Sequence, residues 1–419
     1  MYEDMEKKEL VIITNCTYPV PTATGVISLR FSDFLKEKYN IRIITLQEGN
    51  HVYNGEYISG NRVYSITNWR WKKAYIYKEK TTKSYGIKKK IYSFASCFLR
   101  VVGKVDSTFF HLDNRGFYEK KALNILKRLG EEEKIDVIIS VSSPIEAHFA
   151  AKTYKEIHPE VVWLSYWGDL FSGSNYKLNI FYSHKRMCEM ERQLLEKSDL
   201  VLTTPEIFRT YAGYNVQTKI KILPYTLKES ILYEDNSTNL HENEKAKFVY
   251  MGSLNFKMRN PEFLLKLFIH PGIRGELHLF SDGCSDIVQK YTEMSNGRII
   301  AHGKIGSEEL YEELKKAHVL VNIGNSVSTS VPSKVLELMS YRKPILDIYY
   351  PGQESSVLSK YPICLRICMN ECTEQAVDKI NIFISEIENN NVVSLETMRN
   401  TFSEYFEEKE RAILLNILE

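Results

Sequence analysis

Short apolar runs alternate along the chain with stretches whose apolar residues recur every three or four positions. In the first half, the apolar runs predict strands at residues 10–14, 41–46, 137–141, 162–165, 200–203 and 220–223. Helical spacing occupies the intervals, most clearly at residues 26–38, 120–129 and 185–197. Strands that alternate with amphipathic helices are typical of βα units around a parallel sheet.

The alternation stops in a polar, charged stretch at residues 226–246, which is the best candidate for a linker, and then restarts. New strands are predicted at 248–251, 277–281, 299–302 and 319–323, with helices at 261–269 and 307–317. We therefore predict an α/β chain of two doubly wound Rossmann-like domains, at 1–225 and 226–393, and a C-terminal helix at 394–419 packed back on the first domain. Because ligands of such sheets bind at the carboxyl ends of the strands, we expect a site in the cleft between the domains.

Composition supports a globular chain with two cores. The chain has 419 residues, of which 43% are hydrophobic and 26% charged. It holds no apolar run of about 18 residues and its charged beginning leads into a strand, so we expect neither a transmembrane helix nor a signal peptide. Seven scattered cysteines without a C-x-x-C pair favour a reducing cytoplasm. Cys364, Cys368 and Cys372 are spaced by four, but the run around the first two is typical of a strand, so we predict packed thiols and no metal.

Charge is concentrated in residues 70–104, although the whole chain has a net charge of only +2. This segment holds 11 Lys and Arg against one acid, Glu79, so it carries +10 and the rest of the chain −8. Aromatic residues are interleaved with the cations, and an apolar run follows at 91–102. The pattern favours a segment lying peripherally on an anionic membrane. Nucleic acid is a rival partner that we do not expect, and a solvated excursion between two strands is the third interpretation.

The segment 319–346 combines a strand, a loop of small polar residues and a helix that Pro332 opens. The first turns of this helix carry Ser333, Lys334 and Glu337. A helix N-terminus offers unpaired N–H groups and a positive dipole end, to which Lys334 adds a charge. Phosphate at the helix end with ribose hydroxyls on the carboxylate would suit a nucleotide. The plainer interpretation is an amphipathic helix with a solvated Lys–Glu pair.

Six short motifs follow one another in a distinctive order and spacing. They are TATG at 22–25, DVIISVSSPI at 136–145, YWGDLF at 166–171, YMGS at 250–253, EELYEELKKAHVL at 308–320 and VPSKVLE at 331–337. Through these motifs most of the chain resembles the retaining GT-B glycosyltransferases, specifically the family-4-like group.

The resemblance implies transfer of a sugar from a UDP- or GDP-linked donor, bound by the second domain, to an acceptor bound by the first. The acceptors usual in this family, together with the basic segment, suggest that the acceptor is a lipid-linked or polysaccharide intermediate of bacterial surface glycan synthesis. No cofactor or catalytic metal is implied. The family keeps two glutamates seven residues apart: Glu337 matches the second, expected on the ribose hydroxyls, whereas Thr329 stands in place of the first, near the donor sugar.

The family also places basic residues on the leaving diphosphate, just after the first strand of the second domain. Here Gly252 is followed by Ser253, where Arg is common, and then by Lys257 and Arg259. These two cations are the candidates, with Lys334 as a further one, because preorganised positive charge stabilises a departing diphosphate. Ordinary surface charges are the alternative.

Two strand ends of the second domain are expected near the nucleotide base or phosphate. One of them carries Asp282 and Gly283, and the other carries His302. Ordinary turns with no role in binding are the alternative. In the first domain, Gly25 opens a helix where phosphate or acceptor can approach the backbone, and Ser143 follows another strand.

Asp169 is the expected carboxylate near the acceptor hydroxyl, with a helix cap or turn as its alternative role. His148 is predicted to serve packing rather than catalysis. Retention in this family is usually described as same-face displacement, so a dedicated enzymic base is not obligatory.

Two further functions stay open on the sequence. A sugar-nucleotide 2-epimerase shares the two-domain architecture but needs acid and base carboxylates and no lipid-facing segment. A non-catalytic, glycosyltransferase-like binding protein gains some support from Thr329 and Ser253, which both depart from the family pattern.

Overall fold

The structure, a computed structural model, describes residues 7–418 apart from 19–20, 47–51, 68, 83, 110–117, 174–183, 212–213, 215, 217–218, 242–243, 327–332, 354–355 and 389–390. The chain divides into two compact units. The first unit comprises Met1–Pro224 with Arg411–Glu419, and the second comprises Tyr225–Glu410.

The first unit is built on an eight-stranded sheet. Its strands are β1 (Lys8–Thr14), β2 (Tyr39–Leu46), β3 (Asn54–Ile58), β4 (Asn61–Ile66), β5 (Val137–Ser142), β6 (Val162–Trp167), β7 (Leu200–Thr203) and β8 (Ile220–Ile222). Their order is β3-β4-β2-β1-β5-β6-β7-β8, and all neighbours are parallel except the edge pair β3 and β4. Its helices are α1 (Ala23–Leu35), α2 (Trp69–Thr82), α3 (Gly86–Phe109), α4 (Tyr118–Glu132), α5 (Glu146–Ile157), α6 (His184–Lys197) and α7 (Pro205–Tyr211).

Helix packing against the sheet explains the long apolar runs of the central strands. Six of the seven residues of β1 are buried, as are all six of β5. Strands of a parallel sheet that helices cover on both faces need apolar side chains on both faces. The predicted strands of this unit are therefore present, and the sequence missed only the short, more polar hairpin of β3 and β4.

Helices α2 and α3 form an excursion between β4 and α4. The two helices pack on each other: Ser96 Oγ donates to the Ala74 carbonyl at 2.9 Å, and the rings of Tyr77 and Tyr92 stack with centroids 6.0 Å apart. Lys121 Nζ, at the start of α4, donates to the carbonyl of Thr67, just after β4. The excursion thus leaves the sheet and returns to it at neighbouring points. Among the described residues, no helix is long and apolar enough to cross a membrane.

The second unit is built on six parallel strands. They are β9 (Ala246–Met251), β10 (Gly275–Phe280), β11 (Ile299–Ala301), β12 (Val319–Ile323), β13 (Ile345–Tyr349) and β14 (Cys364–Cys368), in the order β11-β10-β9-β12-β13-β14. Its helices are α8 (Glu229–Leu232), α9 (Glu262–Ile269), α10 (Ser285–Met294), α11 (Ser307–Lys315), α12 (Ser333–Ser340), α13 (Thr373–Ile387), α14 (Leu395–Phe402) and α15 (Glu407–Leu418), the last of which runs on into the first unit.

Two details of this unit refine the predicted elements. The run with Cys364 and Cys368 is strand β14, as predicted, rather than a metal-binding helix. The single helical stretch predicted at 394–419 is instead two helices, because a short 3-10 turn at Ser403–Tyr405 separates α14 from α15. Residues 394–410 belong to the second unit, and only the part from Arg411 onward is grouped with the first.

Candidate functional site

The strand order of the second unit reverses between β9 and β12, and the carboxyl end of such a reversal is where doubly wound sheets bind ligands. Gly252 follows β9 and Asn325 lies just beyond β12. Asp282 lies just beyond β10, and His302 follows β11 directly. The candidate site is built from these strand ends and from the start of α12.

Lys334, in the first turn of α12, lies against the backbone of Gly252. Gly252 has a φ of +127°, which favours glycine, and a Cβ at this position would collide with Lys334 Nζ. The missing side chain therefore makes room for the ammonium group. A cation and a helix start meet at the end of the first strand, which is the arrangement that binds phosphate.

Lys334 is partly buried among charges of both signs. Its pKa is lowered, first by burial and then by the nearby charge of Arg259, with Lys304 acting in the same direction. Glu337 and Asp282 oppose this shift without cancelling it. A bound anion would favour the charged form of the partly buried Lys334, so Lys334 with Arg259 beside it is suited to a diphosphate.

Arg259 is held in place by the loop beyond β12. Its Nε donates to Asn325 Oδ1 at 2.7 Å, and Asn325 is 6% exposed. The backbones of Asn255 and Arg259 exchange two hydrogen bonds, of 3.1 and 2.7 Å, which close the turn that carries the guanidinium. Ser326 N donates to the Met258 carbonyl at 2.8 Å and joins the two loops a second time. The sequence predicted Arg259 but not Asn325.

Behind Asn325 lies a polar network that reaches the buried part of the sheet. Gln353 Nε2 donates to the Asn325 carbonyl, and Arg366 Nη2 donates to the Gln353 carbonyl at 2.9 Å. Arg366 Nε also donates to Asp347 Oδ2 at 2.9 Å, and Asn322 Nδ2 donates to the other carboxylate oxygen at 2.8 Å. Such a connected network fixes the position of Asn325 and, through it, that of Arg259.

Tyr250, near the end of β9, faces the same cluster. Burial raises its pKa to about 12, although Arg259 acts in the opposite direction through its charge and a side-chain hydrogen bond. The Tyr250 hydroxyl donates to the Ser253 carbonyl at 3.4 Å. Tyr250 is therefore a neutral group beside Arg259, and the exposed Ser253 contributes its backbone to the turn.

Glu337, predicted to hold ribose hydroxyls, forms a salt bridge with Lys228. The side chain of Lys228 is 49% exposed, and its backbone N donates to Ser340 Oγ at 2.8 Å. The carboxylate thus lies on α12 one turn after Lys334, as the sequence predicted, but its partner comes from the stretch predicted as a linker.

Ser333, Thr329 and Lys257 were also predicted to belong to this site. Ser333 begins α12, and its side chain is not described. Thr329 lies outside the described residues. Lys257 is exposed, and its backbone N donates to Asn255 Oδ1 at 2.8 Å. No contact among the described residues joins its side chain to Arg259 or Lys334.

Asp282 and Gly283 form a tight contact with the loop after β9. Leu254 N donates to the Asp282 carbonyl at 2.8 Å. Gly283 has a φ of +82°, and a Cβ there would collide with the Leu254 carbonyl. The glycine is therefore needed for the close approach of the two loops, while the exposed Asp282 side chain contributes charge to the cluster.

His302 belongs to an aromatic stack. Its ring lies on Phe280 with centroids 4.3 Å apart and an interplanar angle of 7°. Its Nε2 lies 2.9 Å from His278 Nδ1. The pKa of His302 is lowered by burial and by His278, so the ring is neutral near pH 7. The residue is exposed, so part of the ring is open to solvent at the end of β11.

In the first unit, the strand order reverses between β1 and β5, and the predicted residues again lie at this point. Gly25 is packed so closely that a Cβ would collide with the Cys16 carbonyl, and Thr22 Oγ1 accepts from Gly25 N at 3.2 Å as the cap of α1. Thr24 Oγ1 donates to the Ser143 carbonyl at 3.2 Å. The structure therefore brings Gly25 and Ser143 together.

Asp169 lies just beyond β6, and the turn after it is fixed by a residue that the sequence analysis missed. Glu191 is fully buried on α6 and accepts from Phe171 N at 2.8 Å, Ser172 Oγ at 2.7 Å and the Tyr211 hydroxyl at 3.0 Å. Neighbouring chain desolvates the carboxyl of Asp169 and raises its pKa, although the residue as a whole is exposed. A carboxylate on the buried face of an amphipathic helix was the signal available for Glu191.

His148 is a packing residue, as predicted. It is fully buried, its Nδ1 lies 2.7 Å from Ser140 Oγ, and its ring packs on Trp167 with centroids 4.3 Å apart. Burial lowers the pKa of His148 to about 3, so the ring is neutral.

Comparison with solved structures identifies the fold. Sucrose-phosphate synthase from Thermosynechococcus elongatus superposes with a TM-score of 0.68 at 12% identity, over 98% of this chain and 98% of that one. Anabaena HepE, solved in complex with UDP and glucose, gives a TM-score of 0.61 at 8% identity, over 98% and 99%. UDP-GlcNAc 2-epimerase from Methanocaldococcus jannaschii gives 0.50 at 12%, over 98% and 99%. No protein-family model and no curated protein sequence matches the chain.

The chain therefore has the two-domain GT-B fold of glycosyltransferases, with two Rossmann-like units, as the sequence predicted. At these identities the likeness establishes the fold, and the chemistry has to be argued from the residues of the site.

Proposed function

We propose that this protein is a retaining glycosyltransferase that moves a sugar from a UDP- or GDP-linked donor to a glycan or lipid-linked acceptor of bacterial surface polysaccharide synthesis. The observation that carries the proposal is the pairing of Lys334 and Arg259 at the reversal point of the second sheet, in a chain with the GT-B fold. The donor binds the second unit, with its diphosphate on these two cations and on the N-terminus of α12.

The chemistry follows from where negative charge develops. As the sugar–phosphate bond breaks, the leaving diphosphate gains charge, and preorganised cations stabilise it more than they stabilise the intact donor. Arg259 is prepositioned by Asn325, so little reorganisation is needed. We assign this neutralisation to the side chains rather than to a metal ion, with Lys257 as a third cation that reaches the donor when it is bound.

In same-face displacement the acceptor oxygen bonds to the sugar carbon on the face from which the diphosphate leaves, which retains the configuration. The departing phosphate oxygen takes the proton of the acceptor hydroxyl. Asp169, whose pKa is raised by desolvation, is proposed to orient the acceptor. Glu337 holds the ribose hydroxyls after it exchanges Lys228, whose side chain is half-exposed, for the nucleotide. Gly25 and Ser143 line the approach in the first unit.

A sugar-nucleotide 2-epimerase is the second candidate, because one enzyme of this kind superposes on the chain. An epimerase would convert a nucleotide sugar without any acceptor, whereas a transferase leaves it intact apart from slow hydrolysis. Incubation with UDP- and GDP-sugars, followed by chromatography of the sugars, separates the two.

The nucleotide site is tested by thermal unfolding with UDP and GDP. We expect one of them at about 100 times its Kd to raise the Tm by several degrees, since ligand binding then adds about 2.7 kcal/mol. Lys334→Ala and Arg259→Ala should each abolish most of this shift, and Glu337→Ala should reduce it.

Lys379→Ala is the matched control, because Lys379 is half-exposed and forms a salt bridge with Glu371 on the surface of the same unit. It should keep the full shift. If millimolar UDP and GDP both leave the Tm unchanged, the proposed donor site is wrong.

A further inference from the structure

An unusual surface lies on α3, in the excursion that the proposed chemistry does not use. Five apolar side chains follow one another at spacings of four and three, and each is more than half exposed. They are Ile87 (77%), Ile91 (58%), Phe94 (72%), Phe98 (56%) and Val101 (53%). At 100° per residue they fall within an arc of about 80°. We call these five residues the apolar stripe of α3.

The stripe faces outward because the opposite side of α3 is already packed. Ser96 is 5% exposed and bonds the backbone of α2, and Tyr92 stacks on Tyr77 of that helix. Within the stripe, the rings of Phe94 and Phe98 stack with centroids 6.4 Å apart, which makes a continuous apolar ridge. A contiguous exposed apolar face of this kind marks an interaction site.

Charge around the stripe limits the choice of partner. Lys88, Lys89 and Lys90 are exposed in the first turn of α3, and Tyr85, just before the helix, is 90% exposed. On a helical wheel Lys88 and Lys90 flank the stripe. Long cationic side chains beside an apolar face, with a tyrosine at its end, match an interface that is apolar inside and anionic at its rim.

We propose that the apolar stripe of α3 docks on an anionic lipid bilayer. The stripe lies parallel to the membrane at the boundary of headgroups and acyl chains, and the flanking Lys88 and Lys90 contact lipid phosphates. Aliphatic Ile and Val bury well in acyl chains but cannot stack on bases, which argues against nucleic acid. A second copy would present the same cations rather than an anionic rim, and a parallel pairing would bring two lysine clusters of the same sign together, which is unfavourable.

This inference deepens the proposed function, on which it rests for its biological meaning. It specifies the surface that would bring the enzyme to a lipid-linked acceptor. The docking itself is independent of nucleotide binding, since no residue of the stripe belongs to the donor site.

The test is co-sedimentation of the full chain with two kinds of vesicle. One is made of phosphatidylcholine alone, and the other contains about 30% phosphatidylglycerol, which gives the surface a negative charge. We expect binding to the anionic vesicles that weakens in 0.5 M salt, about where surface charges are screened. Phe94→Ser with Phe98→Ser should lower the partition coefficient about tenfold or more, and so should the double change of Lys88 and Lys90 to Gln.

The control is Ile382→Ser, which removes an apolar side chain that is 60% exposed on the second unit and should leave lipid binding unchanged. All variants should keep the wild-type far-UV spectrum and the thermal shift with UDP or GDP, because the altered side chains are on the surface. If the protein binds lipid but its Tm does not change with UDP or GDP, the proposed function is contradicted and the lipid docking is not.

Three results would overturn the docking. The first is equal sedimentation with neutral vesicles in high salt, and the second is no binding to either vesicle. The third is a concentration-dependent dimer in analytical ultracentrifugation that the paired Phe→Ser change abolishes, because the stripe would then be a contact between two copies.

Discussion

Two lysines of the second unit show how surroundings decide the role of a cation. Burial lowers the pKa of both Lys334 and Lys343. Each has an acid within electrostatic reach, Glu337 for Lys334 and Asp235 for Lys343, but Lys334 borders the strand ends of the candidate site. Lys343 is 1% exposed, and its Nζ donates to uncharged oxygens, among them the Ala317 carbonyl at 2.7 Å. An arriving phosphate would favour the charged form of Lys334, whereas Lys343 serves the interior.

Lys343 should make the stability of the protein depend on pH. Its pKa is about 7 in the folded chain and about 10.4 when unfolded. Between these values the unfolded state binds more protons, so the free energy of unfolding should rise with pH, by at most about 1.4 kcal/mol per unit. Below pH 7 both states hold the proton and the contribution is constant.

Urea unfolding at several pH values between 6 and 9.5 measures this, with Lys343→Met as the comparison. The difference in unfolding free energy between wild type and variant should change in favour of the wild type as pH rises above 7. Parallel curves for the two proteins would show that Lys343 does not titrate in this range.

Individual residues of the site differed in how far the sequence could predict them. Lys334 and Gly252 lie in recognisable motifs next to strongly apolar strands, and the structure places them in contact. Asn325 could not be predicted, because a lone asparagine in a loop of small polar residues has no pattern that distinguishes it. Lys228 was hidden for a different reason: it lies in the stretch read as a linker, and its pairing with Glu337 depends on tertiary structure.

At the level of elements, the loops beyond β9 and β12 act together. Arg259 Nε and Asn325 Oδ1 join them at 2.7 Å, so removal of the amide should loosen the guanidinium without emptying the core. Hydrogen bonds to charged groups contribute about 1.5–3 kcal/mol. We therefore expect Asn325→Ala to weaken UDP or GDP binding about tenfold or more in calorimetric titration.

Asn381→Ala provides the matched control. Asn381 also makes paired bonds, to Arg274 N at 3.0 Å and the Gly272 carbonyl at 2.8 Å, but at the amino end of β10. It should leave nucleotide affinity unchanged. Equal affinity losses in the two variants would mean that general destabilisation, rather than the placement of Arg259, is responsible.

Periodicity predicted most elements, because strands covered on both faces are uniformly apolar and surface helices are not. Periodicity failed to predict an element where the difference between apolar and polar positions is weak. Strand β3 has no buried residue, and its turn into β4 relies on Ser59 and Gly60 with positive φ. The break at Ser403–Tyr405 interrupts an otherwise helical pattern without a proline or glycine. The 3-10 turn has a partner distant in sequence, since Leu227 N donates to the Tyr405 carbonyl at 2.8 Å, whereas β3 depends on pairing with its neighbour β4.

For the whole molecule, the two units repeat one plan. In the second sheet the first strand, β9, has the next two strands on one side and the last three on the other. In the first sheet β1 likewise has β2–β4 on one side and β5–β8 on the other. Each first strand ends near a glycine that admits no side chain, Gly25 or Gly252. The fold class followed from this repetition in the sequence, while the arrangement of the loops did not.

Hydrogen exchange should show which unit holds the nucleotide. With saturating UDP or GDP, we expect slower exchange at residues 250–259, 281–284 and 333–337 of the second unit. Strands β1 and β5 of the first unit should exchange as they do without ligand. Protection centred on residues 22–25 and 143 instead would move the nucleotide to the first unit and contradict the assignment of the donor site.

The excursion of α2 and α3 leaves the first sheet after β4 and returns at α4, where Lys121 bonds the carbonyl of Thr67. Its two helices are stabilised largely by each other. Such a segment can be lengthened, exchanged or lost in evolution while the sheet and its loops keep their geometry. For protein engineering, the excursion is therefore a module that can be exchanged to direct the same two-unit scaffold to a different surface.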